Sequence, residues 1–162
     1  MPTIRKVAAV DAVDHQILTV LMDDGRMSWA DLSERTGLSA PAVAERVHRL
    51  EDRGVIRGYA AIVNGSQVGA HMAALVSVTL GSPSARAEFL RIVGETVEVQ
   101  ECYHTAGEHD YLLKVRCGGT ADLEHLVSDV FKGVSGVVRT RTTVVLSTVK
   151  ESVVVPLPKA GA

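Results

Sequence analysis

Residues Ser28 to Tyr59 read SWADLSERTGLSAPAVAERVHRLEDRGVIRGY, and this stretch decides the fold. Ser28 is placed to cap a first short helix through its hydroxyl, with Asp31 three residues on in a variant of the capping box. Leu32 is that helix's clearest core residue, and Gly37 interrupts it within Thr36-Gly37-Leu38. Ser39 is placed to cap a second helix that carries Pro41 in its first turn, where a missing N–H costs little. Val43, Val47 and Leu50 recur at i, i+4 and i+7 and make one apolar face. Gly54 ends the helix, and Val55 to Tyr59 turns extended. Two short helices joined by a tight turn form a helix-turn-helix.

The opposite face decides what such a unit reads. At about 100° per residue, the core face centres between Val47 and Leu50, leaving Pro41, Glu45, His48, Arg49 and Asp52 opposite. Ala42, Arg46 and Arg53 flank them. Short side chains at Ser39, Ala40 and Ala42 allow the backbone close to a groove, and Arg46 and Arg49 carry the guanidinium fork that phosphates and guanine edges accept. Arginines alone would equally suit a solvated surface. The ordered set of cap, turn glycine, second cap and extended exit points to double-stranded DNA.

Charge does not carry that reading by itself. The 162 residues have a formal net charge of −2. Residues 1–63 hold eight Lys/Arg against nine Asp/Glu, and residues 64–162 nine against ten. A DNA binder so balanced depends on local placement of arginine and on several linked copies of itself. The 46% hydrophobic and 4% aromatic content predicts cores packed from aliphatic side chains. Cys102 and Cys117 lack C-x-x-C spacing and read as reduced, buried thiols. No run approaches the ~20 apolar residues of a membrane span, and the first ten residues lack a signal-peptide core. The expectation is a cytoplasmic protein.

Around the central stretch, residues 1–9 read as a loose arm. Asp11 caps a helix running to about Asp24 that presents Val13, Ile17, Leu18, Val20 and Leu21. Val55 to Val63 reads as a strand or small wing, and Asn64-Gly65-Ser66 opens a hinge over residues 64–70. The second half changes period. Met72–Leu80 and Tyr111–Cys117 read as strands, and Val97–Ala106 alternates loosely. Ser84–Gly94 reads as a helix with Phe89, Leu90 and Val93 on one face, and Ala121–Lys132 as a helix with Leu123, Leu126, Val127, Val130 and Phe131 inward. Val137–Leu146 closes as a β-branched strand. The order βαββαβ is ferredoxin-like, so the chain is α+β: a DNA-binding domain over 1–63, the hinge, a second domain over 71–150, and a tail over 151–162 whose end, from Pro156, reads as disordered.

With these residues in view, the chain resembles the leucine-responsive/asparagine regulator (Lrp/AsnC) family over about residues 10–150. The family's L-D-x-x-D-x-x-I-L appears as VDAVDHQIL with Val10 in place of leucine, and its D-G-R at Asp24-Gly25-Arg26. L-S-x-x-x-G-L-S stands at Leu32 through Ser39, and R-V-x-R-L-E-x-x-G-x-I-x-G-Y at Arg46 through Tyr59. Glu101-Cys102, the Gly107-to-Tyr111 G-x-x-D-Y turn and Thr140-Arg141-Thr142 match in the second half.

The resemblance implies a winged helix-turn-helix and a ferredoxin-like domain that pairs subunits into dimers, assembled as far as an octamer, on the nucleoid. It also implies a small-molecule effector, usually an amino acid, bound between subunits, with no cofactor. The DNA contacts it suggests are Ser39, Ala40, Pro41, Ala42, Arg46 and Arg49, with Arg57 in the wing. For the effector it suggests Asp110 as acceptor for the ammonium group and backbone N–H groups beside Gly107 for the carboxylate. Glu108 and His109 occupy the turn's variable positions, Tyr111 a wall, and Thr140 and Thr142 one face of a strand. A satisfied β-turn would explain Asp110 as well.

Two other classes stay open at this point. Some tetrapyrrole-processing decarboxylases look like this family and use histidines of the second domain, which draws attention to His104 and His109. An architectural protein that wraps DNA without an effector is the other. The spacing of His71, His104, His109 and His125 fits no strong metal pattern, and the expectation is neither a metal site nor an enzyme.

Overall fold

The computed structural model describes residues 10–158. The expected arm over residues 1–9 and the last four residues lie outside them. The chain forms two compact units, one drawn from the chain up to Ile62 and again from Lys150 onward, the other from Val63–Val149.

Three helices build the first unit: α1 (Ala12–Asp23), α2 (Trp29–Thr36) and α3 (Ala40–Asp52). Each begins where a short polar side chain stands. Asp11 caps α1 in a full capping box with Asp14, and Ser28 Oγ accepts the Asp31 N–H at 3.2 Å to cap α2. Ser39 has capping backbone geometry but makes no side-chain cap bond, because Pro41 removes one of the two N–H groups it would reach. Gly37 closes α2 at φ 70°, a left-handed conformation that costs glycine no Cβ clash. Ile17, Leu18, Leu32, Val43, Val47 and Leu50 form an aliphatic core.

Two expectations fail here. Residues 55–63 form no strand. The N–H groups of Val55 and Ile56 instead both bond Leu50 O, at 2.9 and 3.1 Å, and close the C-terminus of α3. That closure takes donors a wing strand would need, and Gly54 at φ 68° turns the backbone out of line. Leu157, assigned to a disordered tail, packs against the first core and is part-buried. Its apolar side chain finds that core although the flanking residues are polar or proline.

The second unit contains a four-stranded antiparallel sheet and two helices: β1 (Met72–Leu80), α4 (Arg86–Glu95), β2 (Val99–His104), β3 (Tyr111–Cys117), α5 (Thr120–His125) and β4 (Val137–Val144). Strand order β2-β3-β1-β4, all antiparallel, is the ferredoxin-like arrangement expected from the pattern. Directly paired residues share a face. Ala74, Val76 and Val78 pair with Val115, Leu113 and Tyr111, and all six are buried with Phe89 and Val93 of α4. Leu75, Ser77 and Thr79 lie on the other face with Leu112, Lys114, Arg139 and Arg141.

The helices depart from expectation in detail. Leu90 is exposed, since Phe89 and Val93 already align one turn apart and Leu90 points away from them. After His125 the helix widens into a π-helical stretch, Leu126–Phe131, and the Lys132 N–H bonds Val127 O. This wider winding brings Leu126 and Phe131, five residues apart, into the same core.

Leu157→Ala is expected to lower the stability of the first unit by about 1–2 kcal/mol, the loss of a part-buried leucine side chain. Trp29, the only tryptophan and a residue of that unit, reports its unfolding by fluorescence in a urea titration. An unshifted midpoint would show that the tail's contact contributes nothing.

Candidate functional site

The face of α3 away from its core begins with exposed Ser39 and Pro41, half-buried Ala40 and Ala42, and continues to Arg49. Arg49 is 53% exposed and paired only loosely, 3.9 Å from Glu45 on the preceding turn. Such a pair competes weakly for the guanidinium, because exposed ion pairs contribute little. Arg57 is exposed, on the extended segment and not on a wing.

Arg46 stands apart from this set. Its Nη1 donates to Asp11 Oδ2 at 2.6 Å and to Asp14 Oδ1 at 2.7 Å, tying α3 to the first turn of α1. Arg46, expected at the DNA, thus has its Nη1 engaged by two carboxylates of the same unit. The Arg46 hydrogen bond keeps the Asp11 carboxyl below its ordinary range, and the two carboxylates raise the Arg46 guanidinium above its own. Sequence spacing could not reveal this partnership, since the partners lie 35 and 32 positions away.

A cluster missed by sequence reasoning borders the same helix. The Trp29 ring meets His48 edge-on with centroids 6.2 Å apart, and His48 Nδ1 lies 3.1 Å from Glu51 Oε2. Tyr59 donates its hydroxyl to Glu51 Oε1 at 3.1 Å. Burial first, then that carboxylate, pushes the Tyr59 phenol up to about 12, so it remains a donor at neutral pH.

In the second unit, the turn before β3 divides the residues expected to share an effector site. Glu108 and His109 turn toward the open sheet face. His109 Nδ1 lies 3.1 Å from Thr79 Oγ1, and Arg139 Nη1 donates to Glu108 Oε1 at 3.5 Å. Asp110 and Tyr111 turn to the helix side. Asp110 Oδ2 accepts the Leu80 N–H at 2.7 Å, at the bulge between Thr79 and Leu80, and the Asp110 N–H bonds Val78 O at 3.0 Å. One carboxylate oxygen of Asp110 thus fastens the turn to the end of β1.

Asp110 and Tyr111 line an open cleft of about 270 Å³ with Leu80, Gly81, Ser82, Pro83, Arg86 and His104. Tyr111 is packed between Phe89 and His104, at ring distances of 4.9 and 5.1 Å. Its hydroxyl is buried without a hydrogen-bond partner. Gly107 is outside this lining, in open space at the turn's tip. Thr140 and Thr142 do share the helix-side face, paired with Val78 and Val76, but they stand across β1 from Tyr111 and do not line the cleft. Ser82 and Arg86 carry no local motif that would have singled them out, and His104 was noticed only as a histidine.

Among the described residues, no group of three or more His, Cys, Asp or Glu side chains is placed to hold a metal ion. Burial pushes both free thiols, Cys102 and Cys117, above their ordinary range. No helix among the described residues is long and apolar enough to cross a membrane.

Two family models match the chain: the AsnC-type helix-turn-helix domain over residues 10–51 and the Lrp/AsnC ligand binding domain over residues 73–155. The leucine-responsive regulatory protein of Haemophilus influenzae is 40% identical over 150 residues, spanning 91% of this chain and 90% of that protein. The Escherichia coli protein of the same name is 39% identical over 145 residues, spanning 88% of each. A Neisseria meningitidis transcriptional regulator in complex with L-methionine superposes with a TM-score of 0.87 at 32% identity, covering 91% of this chain and 97% of that one. A feast or famine regulatory protein from Mycobacterium tuberculosis, complexed with L-methionine, gives 0.82 at 38% identity, covering 88% and 96%.

Arg46→Ala is expected to destabilise the first unit by about 2–3 kcal/mol, less than the ~3–5 of a fully buried pair because Arg46 is 24% exposed. Urea unfolding monitored at Trp29 measures it; an unchanged midpoint would remove the clamp. The Asp11 carboxyl is depressed, so its contribution is present at neutral pH and lost as pH falls through the depressed value, below ~4. Acid titration of the wild type should show that loss in the first unit, and Arg46→Ala should abolish this component.

Proposed function

The chain belongs to the Lrp/AsnC family of transcriptional regulators, and from that premise we infer that α3 enters the DNA major groove with Ser39 to Ala42 at its leading end and Arg49 as its principal side-chain contact. The observation that carries this is the exposed, weakly paired guanidinium of Arg49 on the face of α3 opposite Val43, Val47 and Leu50. Arg57 adds a phosphate contact from the extended segment. Arg46 acts from behind, by holding α3 against α1.

The second unit supports subunit pairing and effector binding. Its open sheet face carries Leu75 and Tyr103, 37% and 52% exposed, beside Lys114, Arg139 and Arg141, and no element of that unit covers it. A second copy packed there makes a dimer, and further pairing extends it toward an octamer. Such assembly lets a chain of near-neutral charge bind DNA by linking several helix-turn-helix units to one molecule. The ligand is a free amino acid. L-methionine in the two related structures and the zwitterion-compatible Asp110 support that class. The protein acts in the cytoplasm, on the nucleoid.

This reading is preferred to an enzyme using His104 and His109. His104 stacks on Tyr111 on the helix side, while His109 is directed to Thr79 on the open face, so the two rings do not converge on one substrate. The curated relatives are regulators.

Arg49→Ala is expected to weaken binding to the protein's own upstream DNA by about tenfold or more, the ~1–3 kcal/mol of a guanidinium–base contact. Fluorescence anisotropy against specific and scrambled duplexes measures it, with sedimentation confirming the same assembly size. Equal affinity for the specific duplex would remove Arg49 from the interface. A loss equal on both duplexes, with a shallower salt dependence, would make it a phosphate contact.

A further inference from the structure

We propose that His48 is a proton-dependent DNA contact: its imidazolium, formed as pH falls, donates to a phosphate or guanine acceptor beside α3 and tightens binding. The proposal rests on the groove reading above and adds to Arg49 a second side chain whose charge is set by pH.

Three observations carry it. The His48 side chain is 66% exposed, on the face of α3 that also presents Arg49, and it stands at the open position of the R-V-x-R motif. Second, its ring is held in place. Nδ1 donates to Glu51 Oε2 at 3.1 Å, because a carboxylate only accepts, and Trp29 meets the ring edge-on. Glu51 is fixed in turn by the Tyr59 hydroxyl on Oε1, and Tyr59 lies so close to Gly25 that a Cβ there would come within 3.3 Å of its ring. With Nδ1 committed, Nε2 is the nitrogen left for DNA, and it makes no hydrogen bond among the described residues. When the ring is neutral, Nε2 carries only a lone pair, which phosphate oxygens and guanine N7 or O6, acceptors themselves, cannot meet. Protonated, it donates to any of them.

Third, the charge of this face is adverse to DNA until His48 takes up a proton. Glu45, Glu51 and Asp52 set three carboxylates beside Arg49 and the flanking Arg53. Phosphates repel such a surplus, and an imidazolium at His48 removes it. From α2 the ring is met by Trp29, which does not titrate. From the exit segment Tyr59 reaches it only through Glu51, as a phenol pushed up to about 12 and so neutral throughout the physiological range. His48 and the carboxylates of α3 are therefore the groups here that can take up the proton, and substitution of His48 separates them.

Fluorescence anisotropy on the full chain tests this, with its own upstream duplex and a scrambled one, at fixed ionic strength from pH 8.5 to pH 6. Linkage of one proton allows up to ~tenfold per pH unit, and the wild type is expected to bind the specific duplex about fivefold or more tighter at pH 6 than at pH 8.5. His48→Gln keeps a polar side chain that does not titrate, and its affinity should change less than about twofold. Trp29, the only tryptophan, gives a second readout, since an imidazolium quenches a neighbouring indole. Its emission should titrate in the free wild type, at a higher midpoint with duplex bound, and should not titrate in His48→Gln. A rise in affinity shared by both duplexes assigns the acceptor to phosphate, and one confined to the specific duplex assigns it to guanine. A rise retained in His48→Gln, no rise in the wild type, or a midpoint unmoved by the duplex would overturn the proposal, and the groove reading would stand as long as Arg49→Ala still weakened specific binding. Specific binding unchanged in Arg49→Ala as well would overturn both.

Discussion

Asp14 is the one charged side chain buried in either core among the described residues, and Arg46 makes that burial tolerable. A carboxylate withdrawn from water without a partner would be costly. Here it accepts from Arg46 Nη1 and from the Asp11 N–H, so the same carboxylate caps α1 and ties it to α3. The aliphatic contacts of Ile17, Leu32, Val43, Val47 and Leu50 are non-directional and permit the helices to slide. The guanidinium bridge is directional. It converts an aliphatic cluster into a unit in which α3 has one orientation, and a helix that reads DNA needs that orientation to be fixed.

The second unit depends on a different constraint. A four-stranded sheet has two faces, and α4 and α5 cover only one of them. The turn before β3 divides between the two sides, with His109 directed toward Thr79 and Asp110 toward Leu80. One face carries exposed Leu75 and Tyr103, suited to a second subunit. The other carries a cleft where a loop, the start of α4 and the start of β3 meet.

Much of this was legible in the chain. The caps at Asp11 and Ser28, the glycine at position 37 and the i, i+4, i+7 apolar spacing of α3 are local signals, and local signals survive without tertiary context. The βαββαβ order was legible for the same reason, since Met72–Leu80 and Tyr111–Cys117 are bounded by turn residues. Where competing partners decide, the reading failed. Val55 and Ile56 have high strand propensity, but their N–H groups close α3. Leu157 lies in a proline-flanked tail, yet it packs against a core formed more than a hundred residues earlier.

The sequence by itself determined most of the helices and strands, most of the residues that face each core, and the kind of unit that each half forms. These follow from periodicity and capping, properties of residues within one or two turns of each other. Only the tertiary structure decided what the charged side chains do. Arg46 and Arg49 look equivalent on a helical projection, but folding places two carboxylates beside one and leaves the other at the surface. Arg86, unremarkable in sequence, comes to line a cleft with Asp110. An ion pair forms wherever the fold brings opposite charges within a few ångströms, and that distance is set by packing between segments far apart in the chain.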